Sequence, residues 1–255
     1  MQSVKVREAG TSSERGGAQP LTARMEPFDS FWEGPEDIEK GYRTLFEFYR
    51  HNYLAQLPAD RDAEILVVSC GPGYFVDMLV RHGYRRVTGI DSDPSKVEHA
   101  RKRGLACHAE SLLPFLEHQE ATFDAIVCEQ ELNHLTKSEM IGVLEMCRGC
   151  LSPGGRIVVH GLNGANPITG PEALAQNLDH YNTFTEYSLR QVLELSGYRD
   201  VGVFPLKLYV FYSNPLNYVG LALTAVLEAT FRVLFGLYGK TNRIFSKKIG
   251  AVATR

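Results

Sequence analysis

Cysteine is scarce in this sequence and irregularly spaced, with five residues in a chain of 255. An odd number without the loop-rich spacing of a disulfide framework indicates reduced thiols, as in a cytosolic protein. Cys147 and Cys150 form a CxxC pair, but no second Cys or His pair stands at zinc spacing, so we expect both to pack in the core. Dense carboxylate clusters of the kind that bind Mg²⁺ are also lacking, and we expect no metal.

We expect neither a targeting segment nor a membrane-spanning one. Residues 1–24 are rich in Ser, Gly, Glu and Arg and lack an apolar core, which predicts a disordered lead-in rather than a signal peptide. The apolar segment at 215–246 is interrupted by Glu228 and Arg232, and we therefore do not expect it to cross a membrane. Basic residues are not interleaved with aromatic ones, so nucleic acid is not an expected partner.

Acidic residues are nearly absent from the C-terminal part. From Pro215 onward there are six basic residues and Glu228 alone, a net charge of +5 that leaves −8 for residues 1–214. Asn217, Thr224 and Glu228 fall on one narrow stripe of a predicted helix whose other positions are mostly large and apolar. A wide apolar face followed by basic residues is typical of an interfacial helix that binds anionic lipid headgroups. The alternatives are packing on the sheet edge, a roof over the substrate pocket, or the seam of a homodimer.

Elsewhere, apolar runs alternate with helical patterns, which predicts an α/β fold with a doubly wound parallel sheet. The expected organisation is an N-terminal helical cap at 25–62, a core at 63–214, an apolar helical insert at 215–246 and the last strand at 247–255. Strands are expected at 64–70, 86–90, 106–110, 123–128, 156–160, 201–212 and 248–254, and helices at 35–57, 74–82, 94–102, 112–118, 137–151, 185–196 and 216–238.

The run VVSCGPGYF carries the first chemical signal. A strand ends in Gly71-Pro72-Gly73 and a helix follows, a turn in which missing side chains let a ligand approach the backbone and the helix N-terminus. The next strand ends at Asp91, and the carboxyl ends of neighbouring parallel strands meet at one edge, so Asp91 can accept hydrogen bonds from ribose hydroxyls. Val76 replaces the third glycine of the dinucleotide fingerprint, which favours a small nucleoside with an amino-acid tail.

Four runs in order (ILVVSCGPGYF, VTGIDSDPSKVEHAR, FDAIVCEQELNHL and LSPGGRIVVHG) resemble the class I S-adenosyl-L-methionine-dependent methyltransferases over about residues 63–200. The resemblance implies a Rossmann-like seven-stranded sheet with an antiparallel last strand, and S-adenosyl-L-methionine as the cofactor. It places Gly71 and Gly73 at the methionine part, Asp91 at the ribose, and Ala109 and Glu110 at the adenine. Further cofactor-binding candidates in these motifs are Ser69, Cys70, Ser92 and Glu129.

Two positions depart from the family pattern. Val67 stands where the family usually carries an acid that helps hold the amino group of the cofactor, and Ser69 stands where it carries a glycine. Three interpretations follow: weaker cofactor binding, compensation by Arg50 or Glu129, or a degenerate protein that serves as a non-catalytic binding subunit.

Histidine is the candidate general base for a hydroxyl acceptor, because its side chain titrates near neutral pH. His134 follows the fourth strand at the cofactor edge, with a packing or capping role as the alternative. His180 follows Asp179, which can orient the imidazole, in a polar loop after the fifth strand; the alternative is a solvated loop. Catalytic candidates are therefore His180, His134 and Asp179, and candidates for binding the substrate are Asn133, Asn163, Asn166 and His180.

The polar loop resembles the methyltransferase branch that is common in bacterial glycan and secondary-metabolite pathways. This resemblance predicts a cytoplasmic O-methyltransferase that acts on a sugar hydroxyl in a glycan, a lipid-linked glycan or a glycosylated metabolite. A lipophilic quinone-like or polyketide hydroxyl is the alternative acceptor, which the apolar insert would also suit. Contact of residues 215–246 with the inner face of a membrane is a further expectation.

Overall fold

The computed structural model describes residues 35–117, 122–128, 131–175, 180–207 and 215–255. The lead-in predicted at 1–24, the first part of the predicted cap, Glu129 and Asp179 lie outside the described residues.

Seven strands form one sheet. In chain order they are β1 (Glu64–Val68), β2 (Arg86–Asp91), β3 (Cys107–Ala109), β4 (Phe123–Cys128), β5 (Leu151–Leu162), β6 (Arg199–Leu206) and β7 (Lys248–Thr254). Their order across the sheet is β3-β2-β1-β4-β5-β7-β6. Strands β1 to β5 pair in parallel, whereas β7 lies antiparallel between β5 and β6. The predicted seven-stranded sheet with an antiparallel last strand is confirmed.

Eight α-helices occur among the described residues. They are α1 (Pro35–Tyr53), α2 (Tyr74–Arg81), α3 (Pro94–Lys102), α4 (Leu112–Glu117), α5 (Lys137–Gly149), α6 (Gly170–Ala175), α7 (Glu186–Leu195) and α8 (Leu216–Leu237). Local sequence explains where several begin. The Asp93 carboxylate accepts a hydrogen bond from Ser95 N at 2.8 Å, and Pro94 occupies the first turn of α3, where its missing N–H costs nothing. Thr136 forms a capping box at the start of α5.

Strand β5 is longer than the predicted 156–160. Residues 152–155, which lie between the predicted helix at 137–151 and the predicted strand at 156–160, belong to β5 as an irregularity. Pairing with β4 passes from Phe123↔Leu151 to Ala125↔Arg156, which leaves the extra residues bulged.

Both faces of the sheet are covered by helices, as the doubly wound pattern predicts. In β1, Leu66 and Val68 point into the core formed with α4, α5 and α7, and Ile65 and Val67 point into the core formed with α1, α2 and α3. All five cysteines are free thiols within or against these two cores. In such a sheet, ligands bind beyond the carboxyl ends of the parallel strands, and that edge is therefore where the site is expected.

Helix α8 bears on one expectation from the sequence. With 22 residues, a mean hydropathy of 1.6 in its best window and none of that window buried, it is long and apolar enough to cross a membrane by length and composition alone. Glu228 and Arg232 therefore do not rule out a spanning helix on composition alone, because two charges in 22 residues leave the average strongly apolar, and the expectation that the segment does not cross a membrane stays a prediction.

Candidate functional site

The turn between β1 and α2 has the backbone that a ligand cradle requires. Ser69, Gly71 and Gly73 have φ angles of 55°, 52° and 88°, in the left-handed region that favours glycine. A Cβ added at Gly73 would lie 2.9 Å from both Ala100 Cβ and Leu105 Cδ1, so this position requires glycine for packing. A Cβ added at Gly71 would meet nothing within 4 Å, so the space above this residue is open.

Asp91 lies directly against this turn. Its Oδ2 accepts a hydrogen bond from Gly71 N at 2.8 Å, and its Oδ1 accepts one from Asp93 N at 2.9 Å. A carboxylate has about four lone-pair sites, so two remain for further donors. Burial raises the pKa of Asp91 above the ordinary aspartate value, although both backbone hydrogen bonds favour the charged form.

The end of β3 completes this part of the edge. Ala109 is the register partner of Asp91, and Glu110 N donates to Asp91 O at 2.9 Å. Ser92 follows Asp91 at the end of β2. The structure thus brings every described cofactor candidate together along the carboxyl ends of three adjacent strands.

The side chains of Cys70 and Cys107 pack against the backbone of β2 next to this turn. A Cβ added at Gly89 would lie 2.8 Å from Cys107 Sγ and 2.9 Å from Cys70 Sγ, so both sulfur atoms sit over the glycine backbone of β2. A hydrogen bond from Cys70 lowers the pKa of Cys107 despite its burial. The side chain of Cys70 thus packs behind the turn.

The two departures from the family pattern have different structural consequences. Val67 is fully buried in the core on the α1 side. Because it is a valine, this position supplies no carboxylate to the amino group of the cofactor. Ser69 adopts the left-handed conformation that glycine takes without strain. Arg50, a residue considered as compensation, places its Nε 2.8 Å from Glu47 Oε2 within α1.

The sequence pattern gave no indication of Tyr42. Its hydroxyl donates to Pro72 O in the cradle, and its ring packs edge-on against Tyr74 at a centroid distance of 4.7 Å. Burial raises the pKa of this hydroxyl beyond the ordinary tyrosine range, so Tyr42 acts as a neutral donor. α1 thereby fixes one side of the turn, a contact 30 residues away that no local signal reveals.

The two candidate bases lie side by side. The rings of His134 and His180 have centroids 4.9 Å apart. His180 Nδ1 donates to Ala173 O at 2.6 Å, a geometry that leaves the basic lone pair of the neutral ring on Nε2. His134 is only 2% exposed, which favours its packing role.

The backbone of Asn133, just after β4, binds the polar loop that contains His180. Its carbonyl oxygen accepts hydrogen bonds from Tyr181 N at 2.9 Å and Asn182 N at 3.3 Å. The side-chain Oδ1 is buried without a hydrogen-bond partner in the described part of the chain. Asn133 therefore keeps an unused acceptor beside the histidine pair.

Asn163 has a structural role that differs from the expected contact with substrate. Its Nδ2 donates to Ile244 O at 3.0 Å and Ser246 O at 2.9 Å, and its Oδ1 accepts from Ala165 N at 3.0 Å. Asn163 is 1% exposed, and its amide is already committed to backbone groups. The expectation that it contacts substrate is thus not supported by its hydrogen bonds.

Asn166 is similarly tied to the backbone. Its Nδ2 donates to Phe245 O at 2.6 Å, and its Oδ1 accepts from Ile168 N and Thr169 N at 2.9 and 3.0 Å. Unlike Asn163, Asn166 also lines a cavity, so the hydrogen-bonding capacity that remains on its side-chain amide is available to a ligand there. These two asparagines hold the segment before β7 against the loop after β5.

That cavity has a volume of about 580 Å³ and lies at the carboxyl ends of β5 and β6, under α8. Most of its wall is apolar, with Leu206, Leu221 and Phe231 among the lining residues. Glu228 also lines it and pairs with Arg232 at 3.5 Å, and burial raises the pKa of this carboxyl. In the described part of the chain, no group of three or more His, Cys, Asp or Glu could hold a metal ion.

Comparisons with known proteins agree with this geometry. Residues 65–155 match a family model described as a methyltransferase domain. The ubiquinone biosynthesis O-methyltransferase of Xylella fastidiosa (strain M23) is 31% identical over 146 residues, a match that covers 55% of this chain and 58% of that protein's length. The chain therefore spans less than two thirds of this relative.

Two crystal structures share the fold. A SAM-dependent methyltransferase from Archaeoglobus fulgidus superposes with a TM-score of 0.61 at 15% identity, covering 84% of this chain and 94% of that one. The plantazolicin methyltransferase BamL, solved with a triazolic desmethylPZN analog and SAH, gives 0.58 at 16% identity, covering 92% and 96%. Residues 65–155 are thus a methyltransferase domain, and the chain has the fold of S-adenosyl-L-methionine-dependent methyltransferases.

Proposed function

We propose that the protein transfers a methyl group from S-adenosyl-L-methionine to a hydroxyl of a lipophilic, quinone-like acceptor. The observation that carries the choice of acceptor is the mostly apolar cavity of about 580 Å³ at the carboxyl edge of the sheet. Cavities of this size and polarity suit apolar small molecules that are oriented by a few polar groups. The name of the relatives, ubiquinone biosynthesis O-methyltransferase, points to the same class of acceptor.

The residues of the β1–α2 turn fit the cofactor. The open space over Gly71 admits the amino-acid part close to the backbone, and the two remaining lone-pair sites of Asp91 suit the ribose hydroxyls. Ala109 and Glu110 border the space for the adenine beside Asp91. This intact cradle is the argument against a degenerate binding subunit, although Val67 removes one contact. When bound, the cofactor supplies an electrophilic methyl group on a sulfonium.

The residues of the chain position the acceptor and accept its proton. In-line placement of the acceptor oxygen accounts for much of the rate in such a reaction. His180 Nε2, the basic nitrogen when Nδ1 donates to Ala173 O, would accept the proton that the acceptor oxygen loses as it takes the methyl group and the sulfur of the cofactor is left as a neutral thioether. His134 packs against the ring of His180 and limits its orientation.

A sugar hydroxyl, the acceptor first expected from the sequence, has less support. The wall of the cavity is mostly apolar, although polar side chains such as Asn217, Thr224 and Glu228 also reach it, and Asn163 is committed to the backbone. The relatives' names favour the quinone-like alternative.

A methyl-transfer assay with the full chain tests the proposal. The acceptors are a prenylated dihydroxybenzene, the same ring without the prenyl tail, and a simple glycoside. We expect turnover on both dihydroxybenzenes with a lower KM for the prenylated one, and methyl on oxygen in the product. Transfer only to the glycoside would overturn the choice of acceptor, and undetectable cofactor binding by calorimetry would overturn the enzyme assignment.

A further inference from the structure

We propose that one face of α8 binds the surface of an anionic lipid bilayer, with the helix lying in the plane of the membrane. This α8 outer face consists of eight large apolar side chains, each between 44% and 84% exposed: Leu216, Val219, Leu223, Val226, Val233, Leu234, Leu237 and, directly after the helix, Tyr238. No residue of α8 is buried. An exposed apolar surface of this extent on one element is larger than a soluble monomer ordinarily presents.

The polarity of α8 is inverted relative to a surface helix. Its polar stripe (Asn217, Thr224 and Glu228) lines the cavity and therefore faces the protein. A helix on a water-exposed surface places such residues outward and its apolar residues inward. The inversion indicates that the medium outside α8 is less polar than water.

The topology excludes a single crossing of the membrane. Leu206 at the end of β6 pairs with Lys248 at the start of β7, so the chain leaves and re-enters the sheet at the same edge. If α8 crossed the bilayer, residues 238–247 would have to cross back, carrying Lys240 and Arg243 through the hydrocarbon. Instead, Phe245 in this segment is 1% exposed and packs on Phe235 of α8 at a centroid distance of 4.6 Å.

Charge selects an anionic surface. Glu228 is the sole acidic residue in 215–255, and its carboxylate faces the cavity side and Arg232. Lys240, Arg243 and Lys247, just beyond α8, are exposed. Exposed basic residues next to an interfacial helix attract anionic headgroups, each contributing a modest increment to membrane affinity. This complementarity favours a lipid surface over a second copy of the chain, whose same face would carry the same positive charge.

Co-sedimentation of the full chain with vesicles tests the proposal. One set of vesicles is phosphatidylcholine alone and the other is an equal mixture with phosphatidylglycerol. The test variant is Leu223→Ser/Val226→Ser/Val233→Ser, and the matched control is Leu195→Ser, which is 71% exposed on α7. A charge variant, Lys240→Gln/Arg243→Gln, leaves the backbone hydrogen bonds of 243 and 244 to Glu186 in place.

We expect the wild type and Leu195→Ser to bind the anionic vesicles, and the triple variant to lose about tenfold or more in partitioning. The charge variant should lose about tenfold on anionic vesicles only. Cofactor affinity, measured by calorimetry, should be unchanged in all variants, because none touches the cradle.

Three results would overturn the proposal. The first is equal partitioning of the triple variant and the wild type. The second is a dimer, seen by sedimentation velocity without vesicles, that the triple variant dissociates; the face would then be an interface between copies of the chain. The third is retention of the wild type on vesicles through an alkaline carbonate wash, which would indicate a spanning helix.

Discussion

Replacement of Asp91 by alanine should nearly abolish cofactor binding while leaving the protein folded. Two of the carboxylate's lone-pair sites are occupied by Gly71 N and Asp93 N, at 2.8 and 2.9 Å, and two remain for the ribose hydroxyls. A hydrogen bond to a charged group contributes about 1.5–3 kcal/mol, so the loss of two amounts to about 3–6 kcal/mol. At 1.4 kcal/mol per factor of ten, the dissociation constant should rise by about 100-fold or more.

Calorimetric titration with S-adenosyl-L-methionine measures this change. The matched control is Asp93→Asn, because asparagine also caps a helix and Asp93 uses its carboxylate to accept from Ser95 N. We expect the control to bind as the wild type does. Equal affinity of Asp91→Ala and the wild type, with both proteins folded by thermal melting, would refute the assignment of the ribose site.

The pH dependence of binding gives a second readout of the same group. The ribose hydroxyls are bound by the charged carboxylate, and burial raises the pKa of Asp91 above the ordinary aspartate value. Cofactor affinity should therefore fall as the pH drops through this raised pKa, earlier than for an exposed aspartate. The acid limb should be absent in Asp91→Ala.

Three further predictions concern the base, the core and the cradle. His180→Ala should lower kcat about 100-fold without changing cofactor affinity, and an unchanged kcat would remove its role as a base. Burial lowers the pKa of His160 well below the ordinary histidine value. The contribution of the neutral ring to the free energy of unfolding is therefore full above about pH 6.5 and declines below it by about 1.4 kcal/mol per pH unit. Urea unfolding at pH 7.5 and 5.5 should show that His160→Gln loses less stability between the two pH values than the wild type does. Gly89→Ala should destabilise the protein by about 1–3 kcal/mol, because its Cβ would lie within 2.9 Å of two sulfur atoms, whereas Gly142→Ala, where the Cβ meets nothing within 4 Å, should not.

The order of elements could be predicted from the sequence because the periodic signals are strong. Apolar runs bounded by Gly, Pro and Asp marked β1, β2 and β4, and Asp93-Pro94 marked the start of α3. The error at β5 has a local cause: Pro153 and two glycines favour a turn in isolation, but pairing with β4 holds them as a bulge. The strand pairing of β5 with β4 thus outweighed the local preference of these residues for a turn.

The candidate site was less predictable where partners are distant in the chain. The cofactor candidates could be found because each ends a strand at one edge, which sequence patterns reveal. The role of Asn163 depends on the backbone of Ile244 and Ser246, more than 80 residues away. Likewise, the hydrogen bond of 2.6 Å between Tyr53 and His160 joins residues 107 positions apart, and no pattern identified either one.

The orientation of α8 shows why a correct pattern can still leave a structure undetermined. The stripe of Asn217, Thr224 and Glu228 is visible in the sequence, but the side it faces depends on what lies on each side of the helix. Here the stripe faces a cavity, where burial raises the pKa of Glu228 and Arg232 pairs with it. One helix thus presents a lining to the proposed acceptor site and an apolar face to the exterior. If that exterior is a bilayer, a lipophilic acceptor can reach the cavity without crossing water, so the two proposals reinforce each other although each has its own test.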